Sequence, residues 1–153
     1  MKFVPQWRRF VALPPRKRGL LARAWLAVAR ARLELALAPF ALVRLRPRVA
    51  PTQRADAGSV AWAIRAAARF IPRATCLVQA LAAHRLLARL GHDALLNIGV
   101  AKPPRGIPGS EPAVREAWSY HFGAHAWVEY RGAVLVGGSE TQYTPLVQWS
   151  GVQ

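Results

Sequence analysis

Cysteine is almost missing from this chain. A single residue, Cys76, stands among 153, so no internal disulfide and no cysteine-rich zinc site can form, and a secreted disulfide scaffold is excluded. A long uninterrupted apolar run is missing too. The most apolar early stretch, Leu20 to Val43, is interrupted by Arg23, Arg30, Arg32 and Glu34, and its longest charge-free piece is the nine residues Leu35 to Val43, whereas a membrane crossing needs roughly 20. The N-terminus, MKFVPQWRRF, is positively charged but has neither a signal-length apolar segment nor a small-residue cleavage site. No secretory signal is read there, and the expectation is a cytoplasmic protein that touches a membrane surface at most peripherally. Acidic residues are scarce as well, 7 against 22 Lys and Arg, for a net charge of +15. The imbalance is one-sided. Residues 1–73 hold 16 basic and 2 acidic residues (+14), and residues 74–153 hold 6 and 5 (+1), so any polyanion, lipid or acidic-partner contact belongs to the first half.

What is present is a core. Hydrophobic residues make up 53% of the chain, enough for one domain without metal or disulfide staples and incompatible with a disordered polymer. After Pro14-Pro15 and the basic Arg16-Lys17-Arg18, an Ala/Leu/Arg-rich stretch from about Gly19 to Arg44 has helical composition, with Pro39 set to kink or end it. The segment Arg46 to Ala57 reads as a connector, and Ser59 as the cap of a second helix over about Val60 to Phe70. A third helix runs from Cys76 to Leu90, with Thr75 as N-cap and Gly91 as stop. The stretch LLNIGVA (95–101) has strand character, residues 102–117 form a Pro/Gly-rich loop, and FGAHAWVEY (122–130) and AVLV (133–136) make a hairpin through Arg131-Gly132. Helices first and a small antiparallel sheet after them make an α+β fold. The division expected is a basic helical region, 1–58, followed by a domain over 59–153.

Two residues carry chemical promise. Cys76 opens the clearest helix, where unpaired amides and the helix dipole favour a thiolate, although a lone Cys is more often a small core residue. His125 lies in the hairpin with Gly123, Trp127 and Glu129 on its face, while Phe122, Ala124, Ala126, Val128 and Tyr130 form the larger apolar face. It therefore points away from the main apolar layer, as suits a base. His84, His92 and His121 read as structural or exposed. The 49-residue separation between Cys76 and His125 matches neither the caspase nor the papain arrangement. The compact order helix-Cys, strand, loop, strand-His, strand is that of a transglutaminase-like core.

The strings TCLVQALAAHRLLARLGHDALLNIGVA, SYHFGAHAWVEYRGAVLVGG and YTPL resemble the B proteins of lasso peptide biosynthesis, in their split, stand-alone form, over about residues 60–146. That resemblance implies a transglutaminase-like (papain-like superfamily) cysteine peptidase, without metal or cofactor, that removes the leader from a ribosomally made precursor. It implies Cys76 as nucleophile, with its own backbone N–H at the oxyanion, and His125 as general base and then acid. The implied partners are the leader–core precursor, a separate leader-recognition protein of winged-helix type and an ATP-dependent cyclase. One departure stands out: the family commonly places an Asp about twelve residues after the His, and here that position is Gly137, followed by Gly138. A regular hairpin pairs Gly138 opposite His125, leaving Glu140, Ser139, a backbone carbonyl or no group at all to orient the ring; Glu140 is the side chain favoured here. Trp127 either shields the site as a substrate contact or packs beneath it, packing being the weightier reading. Two other readings share these residues: a transglutaminase-type acyl transferase using the same site, and a non-catalytic basic adaptor for anionic lipid or nucleic acid. The chain lacks an RNA-recognition aromatic signature and a helix-turn-helix placement, so no specific nucleic acid is expected.

Overall fold

The structure is a computed structural model and describes residues 13–38, 50, 54–101, 123–138 and 143–150. Helix α1 spans Pro15–Leu37, α2 Ala57–Ala68 and α3 Cys76–Arg89, followed by strands β1 (Leu95–Ala101), β2 (Ala124–Tyr130), β3 (Ala133–Val136) and β4 (Tyr143–Trp149). The α+β arrangement expected from the element order is present. Three helix boundaries differ from expectation. Helix α1 begins at Pro15 rather than about Gly19, since proline is tolerated in the first turn, where its missing N–H would have no partner. Helix α1 ends at Leu37, and Ala38 is already extended (φ −124°, ψ 144°), because the residue before a proline is driven out of the helical region. Pro39 thus ends the helix, and the expected continuation to Arg44 falls outside the described residues. Helix α2 is capped by Asp56 rather than Ser59: the Asp56 carboxylate accepts the Ser59 amide at 2.8 Å. Ser59 sits at the third helical position, where it donates to the cap instead of being it. That bond is also the main reason the Asp56 carboxyl titrates below its ordinary value.

Alanines let the helices approach one another closely. Ala24, Val28 and Ala31 of α1 meet Val60, Ile64 and Ala67 of α2 and Leu81 and Leu87 of α3 in one buried cluster, which continues into Leu96, Ala126, Val128 and Val136 of the sheet. Burial of each larger aliphatic side chain contributes about 1.5–3 kcal/mol. Helix α3 packs on β1 and β2 and α2 on β3, while α1 covers the outer side of α2 and α3.

All neighbouring strands are antiparallel, in the order β3-β2-β1-β4. Pro145 argues against a strand in the sequence; the edge position of β4 leaves one side of its backbone without a neighbouring strand among the described residues, which is where proline is tolerated. The hairpin turn has positive φ at both Arg131 (51°) and Gly132 (76°), the two-residue type I′ geometry. A bulge then interrupts the hairpin. Val128 pairs with Val136 but Glu129 with Val134, leaving Leu135 as the extra residue, and its carbonyl is taken up by the Arg65 guanidinium of α2 at 2.5 Å.

His84 of α3 is fully buried; neither ring nitrogen meets full hydrogen-bond geometry among the described residues, and the nearby Ala94 backbone and Asp93 offset only part of the cost of burial. Burial pushes its pKa down to about 4 from 6.5. The unfolded chain therefore takes up a proton that the folded chain refuses, so stability is fully present above pH 6.5 and falls as the pH drops toward 4. The predicted loss approaches about 3 kcal/mol at ~1.4 kcal/mol per pH unit. Urea denaturation at pH 7 and pH 4.5 should show this fall in the native protein and a much flatter profile in His84→Leu; equal slopes would show that His84 does not govern this window.

Candidate active site

The chain reaches Cys76 through a sharp local turn. Arg73 adopts φ 58°, a left-handed conformation that is costly for a residue with a side chain, and the Gln79 side chain donates to the Ala74 carbonyl at 2.8 Å. Thr75 is the N-cap as expected, its hydroxyl accepting the Val78 amide at 3.5 Å. Cys76 follows as the first helical residue, a half-buried free thiol. No acidic side chain lies in the first turn of α3, so nothing there competes with an anion for the positive end of the helix.

The far end of α3 decides which strand end Cys76 faces. Gly91 (φ 88°) closes the helix with paired bonds, His92 N–H to the Leu87 carbonyl at 2.9 Å and Gly91 N–H to the Ala88 carbonyl at 3.0 Å, a Schellman cap that folds the chain back. Strand β1 then returns along α3, and β2, antiparallel to β1, runs in the helix direction. The His92 ring meets the Tyr130 hydroxyl at 3.2 Å and the Ala55 carbonyl at 2.5 Å, tying the end of α3 to the end of β2. Helix and strand are similar in length, about 21 Å and 23 Å. The opposite ends, which carry Cys76 and His125, therefore lie at the same end of the helix–sheet layer. No hydrogen bond joins the two side chains.

His125 is half-buried and on the sheet face away from the helices, since its neighbours Ala126 and Val128 belong to the buried cluster. Its Nε2 is hydrogen-bonded to the Gly137 carbonyl. A carbonyl only accepts, so Nε2 holds the proton and Nδ1 presents its lone pair. The ring is stacked on Tyr143 (centroids 4.5 Å apart, 26° between planes) and lies nearly parallel to Trp127 (6.1 Å, 17°). Trp127 is buried and packs beneath the histidine, against Gly99.

The expected pairing of Gly138 with His125 is corrected by the bulge at Leu135. Continuing the Val128–Val136 register brings Gly137 beside Trp127, where a Cβ on residue 137 would lie 2.5 Å from Trp127 Cβ and 2.8 Å from the Ala126 carbonyl oxygen. A backbone carbonyl, one of the alternatives open in the sequence, thus contacts the ring. Glu140 and Ser139 lie outside the described residues, as does His121. His84 and His92 stand apart from Cys76 and His125, in structural settings. Tyr143 belongs to β4, and the alternating pattern of YTPLVQW around Pro145 is its only signal in the sequence. Among the described residues no cluster of three or more His, Cys, Asp or Glu is placed to hold a metal.

Comparison with known families matches residues 20–148 to the transglutaminase-like superfamily. The chain belongs to that superfamily. The match begins inside α1 and ends inside β4, so it takes in every helix and strand described above at least in part. No curated protein and no solved structure matches the chain. Transglutaminase-like domains include cysteine proteases, and a thiol at a helix N-terminus with a strand histidine at the same end of the layer is compatible with proteolysis or acyl transfer.

Gly137 has φ +112°, where a side chain is strained whatever the space. Gly137→Ala is expected to destabilise the protein by about 1–3 kcal/mol from backbone strain and to displace the carbonyl from His125. Nitrogen-15 NMR of the imidazole should show the Nε2–H tautomer in the native protein and a mixture in the variant. A native Nδ1–H tautomer would contradict the assignment.

Proposed function

We propose that this protein is a cysteine peptidase that removes the leader from a ribosomally made lasso precursor peptide, working with a leader-recognition protein and an ATP-dependent cyclase. What supports the reading is the presence, within a transglutaminase-like domain, of a free thiol at the first position of α3 and, toward the same end of the helix–sheet layer, of a strand histidine whose ring is set by a backbone carbonyl. Substrate class and partners come from the likeness of the Cys76 helix and the HAWVE hairpin to the lasso B proteins.

In this mechanism Nδ1 of His125 takes the Cys76 proton and Sγ attacks the scissile carbonyl, giving a tetrahedral oxyanion. The Cys76 amide, which has no carbonyl one turn earlier in the helix to donate to, points at that oxygen. The Gly137 carbonyl accepts from Nε2–H throughout and steadies the imidazolium. His125 then protonates the departing amine, leaving a thioester at Cys76, and finally takes a proton from water as it attacks that thioester. Water as acceptor gives hydrolysis and an amine acceptor gives transfer, so product mass separates the peptidase from the acyl transferase. Glu140 is auxiliary in this mechanism, the Gly137 carbonyl being the contact that His125 makes.

Purified Cys76→Ala and His125→Ala, each with the leader-binding protein and a leader–core peptide, should lose cleavage by roughly 10³-fold or more while keeping native circular dichroism. Glu140→Gln should cost far less. Unimpaired cleavage by either Cys76→Ala or His125→Ala would refute the mechanism, and equal losses at Glu140 and His125 would make Glu140 the orienting group.

A further inference from the structure

Helix α1 has two apolar faces, and the core accounts for only one of them. Ala24, Val28 and Ala31 point inward and are buried. On the other side Trp25, Leu26, Leu33 and Leu37 are exposed, from 46% at Trp25 to 77% at Leu37, and Phe70, just past the end of α2, adds a further ring at 62%. At 100° per residue the four α1 side chains, with Ala29 and Ala36 between them, fall within a band about 120° wide. Trp25 and Phe70 line two adjoining clefts together with Leu26 and Leu33. A large exposed apolar surface of this kind marks an interaction site rather than ordinary surface scatter.

The charges around the band say what it fits. Arg32 borders one edge, Arg23 and Arg30 border the other, and Arg18 lies in line with the band one turn before Ala22. Over its length α1 carries six basic residues and one acidic residue. That acid, Glu34, is held by Arg30 at 2.8 Å and Arg85 at 2.6 Å, so no unpaired carboxylate on the helix opposes an anionic surface. Arginine stems are long enough to carry guanidinium groups outward to phosphates while the adjacent Trp and Leu side chains enter an apolar phase. The described residues contain no helix long and apolar enough to cross a membrane, and a helix with these flanks lies along the surface instead.

We propose that the outer face of α1, extended by Phe70, docks the protein in the interface of an anionic lipid bilayer, with Trp25, Leu26, Leu33 and Leu37 inserted and Arg18, Arg23, Arg30 and Arg32 on headgroup phosphates. The inference rests on α1 alone and stands or falls separately from the peptidase reading.

Co-sedimentation of the full chain with vesicles tests it. The protein is expected to pellet with phosphatidylglycerol-containing vesicles, to pellet poorly with pure phosphatidylcholine, and to be released as salt rises. Leu26→Glu/Leu33→Glu, both at exposed sites, should weaken binding by roughly tenfold or more with unchanged circular dichroism. Leu146→Glu, an exposed apolar residue on β4 (64%), should bind like the native protein. Absence of pelleting with anionic vesicles, or equal pelleting by the double Glu variant, overturns the proposal. So does a dimer in sedimentation velocity that the same variant dissolves, which would make a second copy of the chain the occupant.

Discussion

The hinge between α3 and β1 controls where everything else lies. His92 donates to the Leu87 carbonyl, Gly91 donates to that of Ala88, and Gly91 alone at φ 88° makes the reversal possible without steric cost. Because the chain folds back there, β1 must return along α3, β2 must run with it, and the thiol and the imidazole must arrive at the same end. The same corner is pinned a second time by the His92 ring between Ala55 and Tyr130. Cys76 and His125 are thus placed by contacts at the opposite end of the layer.

Register does the remaining positioning. A regular hairpin would present Gly138 to His125; the extra residue Leu135 shifts the register so that Gly137 stands beside Trp127, and from there its carbonyl meets the His125 ring. The bulge leaves the Leu135 carbonyl without a ladder partner, and Arg65 of α2 supplies one. Arg65 therefore supports the bulged segment that carries Gly137 to the His125 ring. Glycine at 137 follows from the same constraint, since a Cβ would collide with Trp127.

The parts of this arrangement that were legible in the sequence are those encoded locally. Thr75 and Gly91 bound α3 by cap chemistry, LLNIGVA reads as a strand from composition, and Arg131-Gly132 reads as a turn because glycine admits the required φ. Cys76 and His125 stand out because their side chains have few roles outside catalysis, metal binding and packing. What escaped depends on pairing between distant segments. Strand β4 forms only because β1 offers an edge that Pro145 can occupy, and with it went Tyr143, whose ring lies on His125. The Gly137 carbonyl is a main-chain group, carried by every residue type, and only the register of the bulged hairpin singles it out. Asp56 displaced Ser59 as a cap for a related reason: both are cap residues, and the point at which the chain turns into α2 decides between them.

The account requires that His125, held by Gly137, act on the Cys76 thiol. The rate of iodoacetamide alkylation of Cys76 as a function of pH, in the native protein and in His125→Ala, tests this most directly. A thiolate supported by the imidazole predicts rapid alkylation near neutral pH that His125→Ala slows markedly while the fold is retained. A thiol that reacts slowly at neutral pH, and at the same rate with or without the His125 ring, would contradict it.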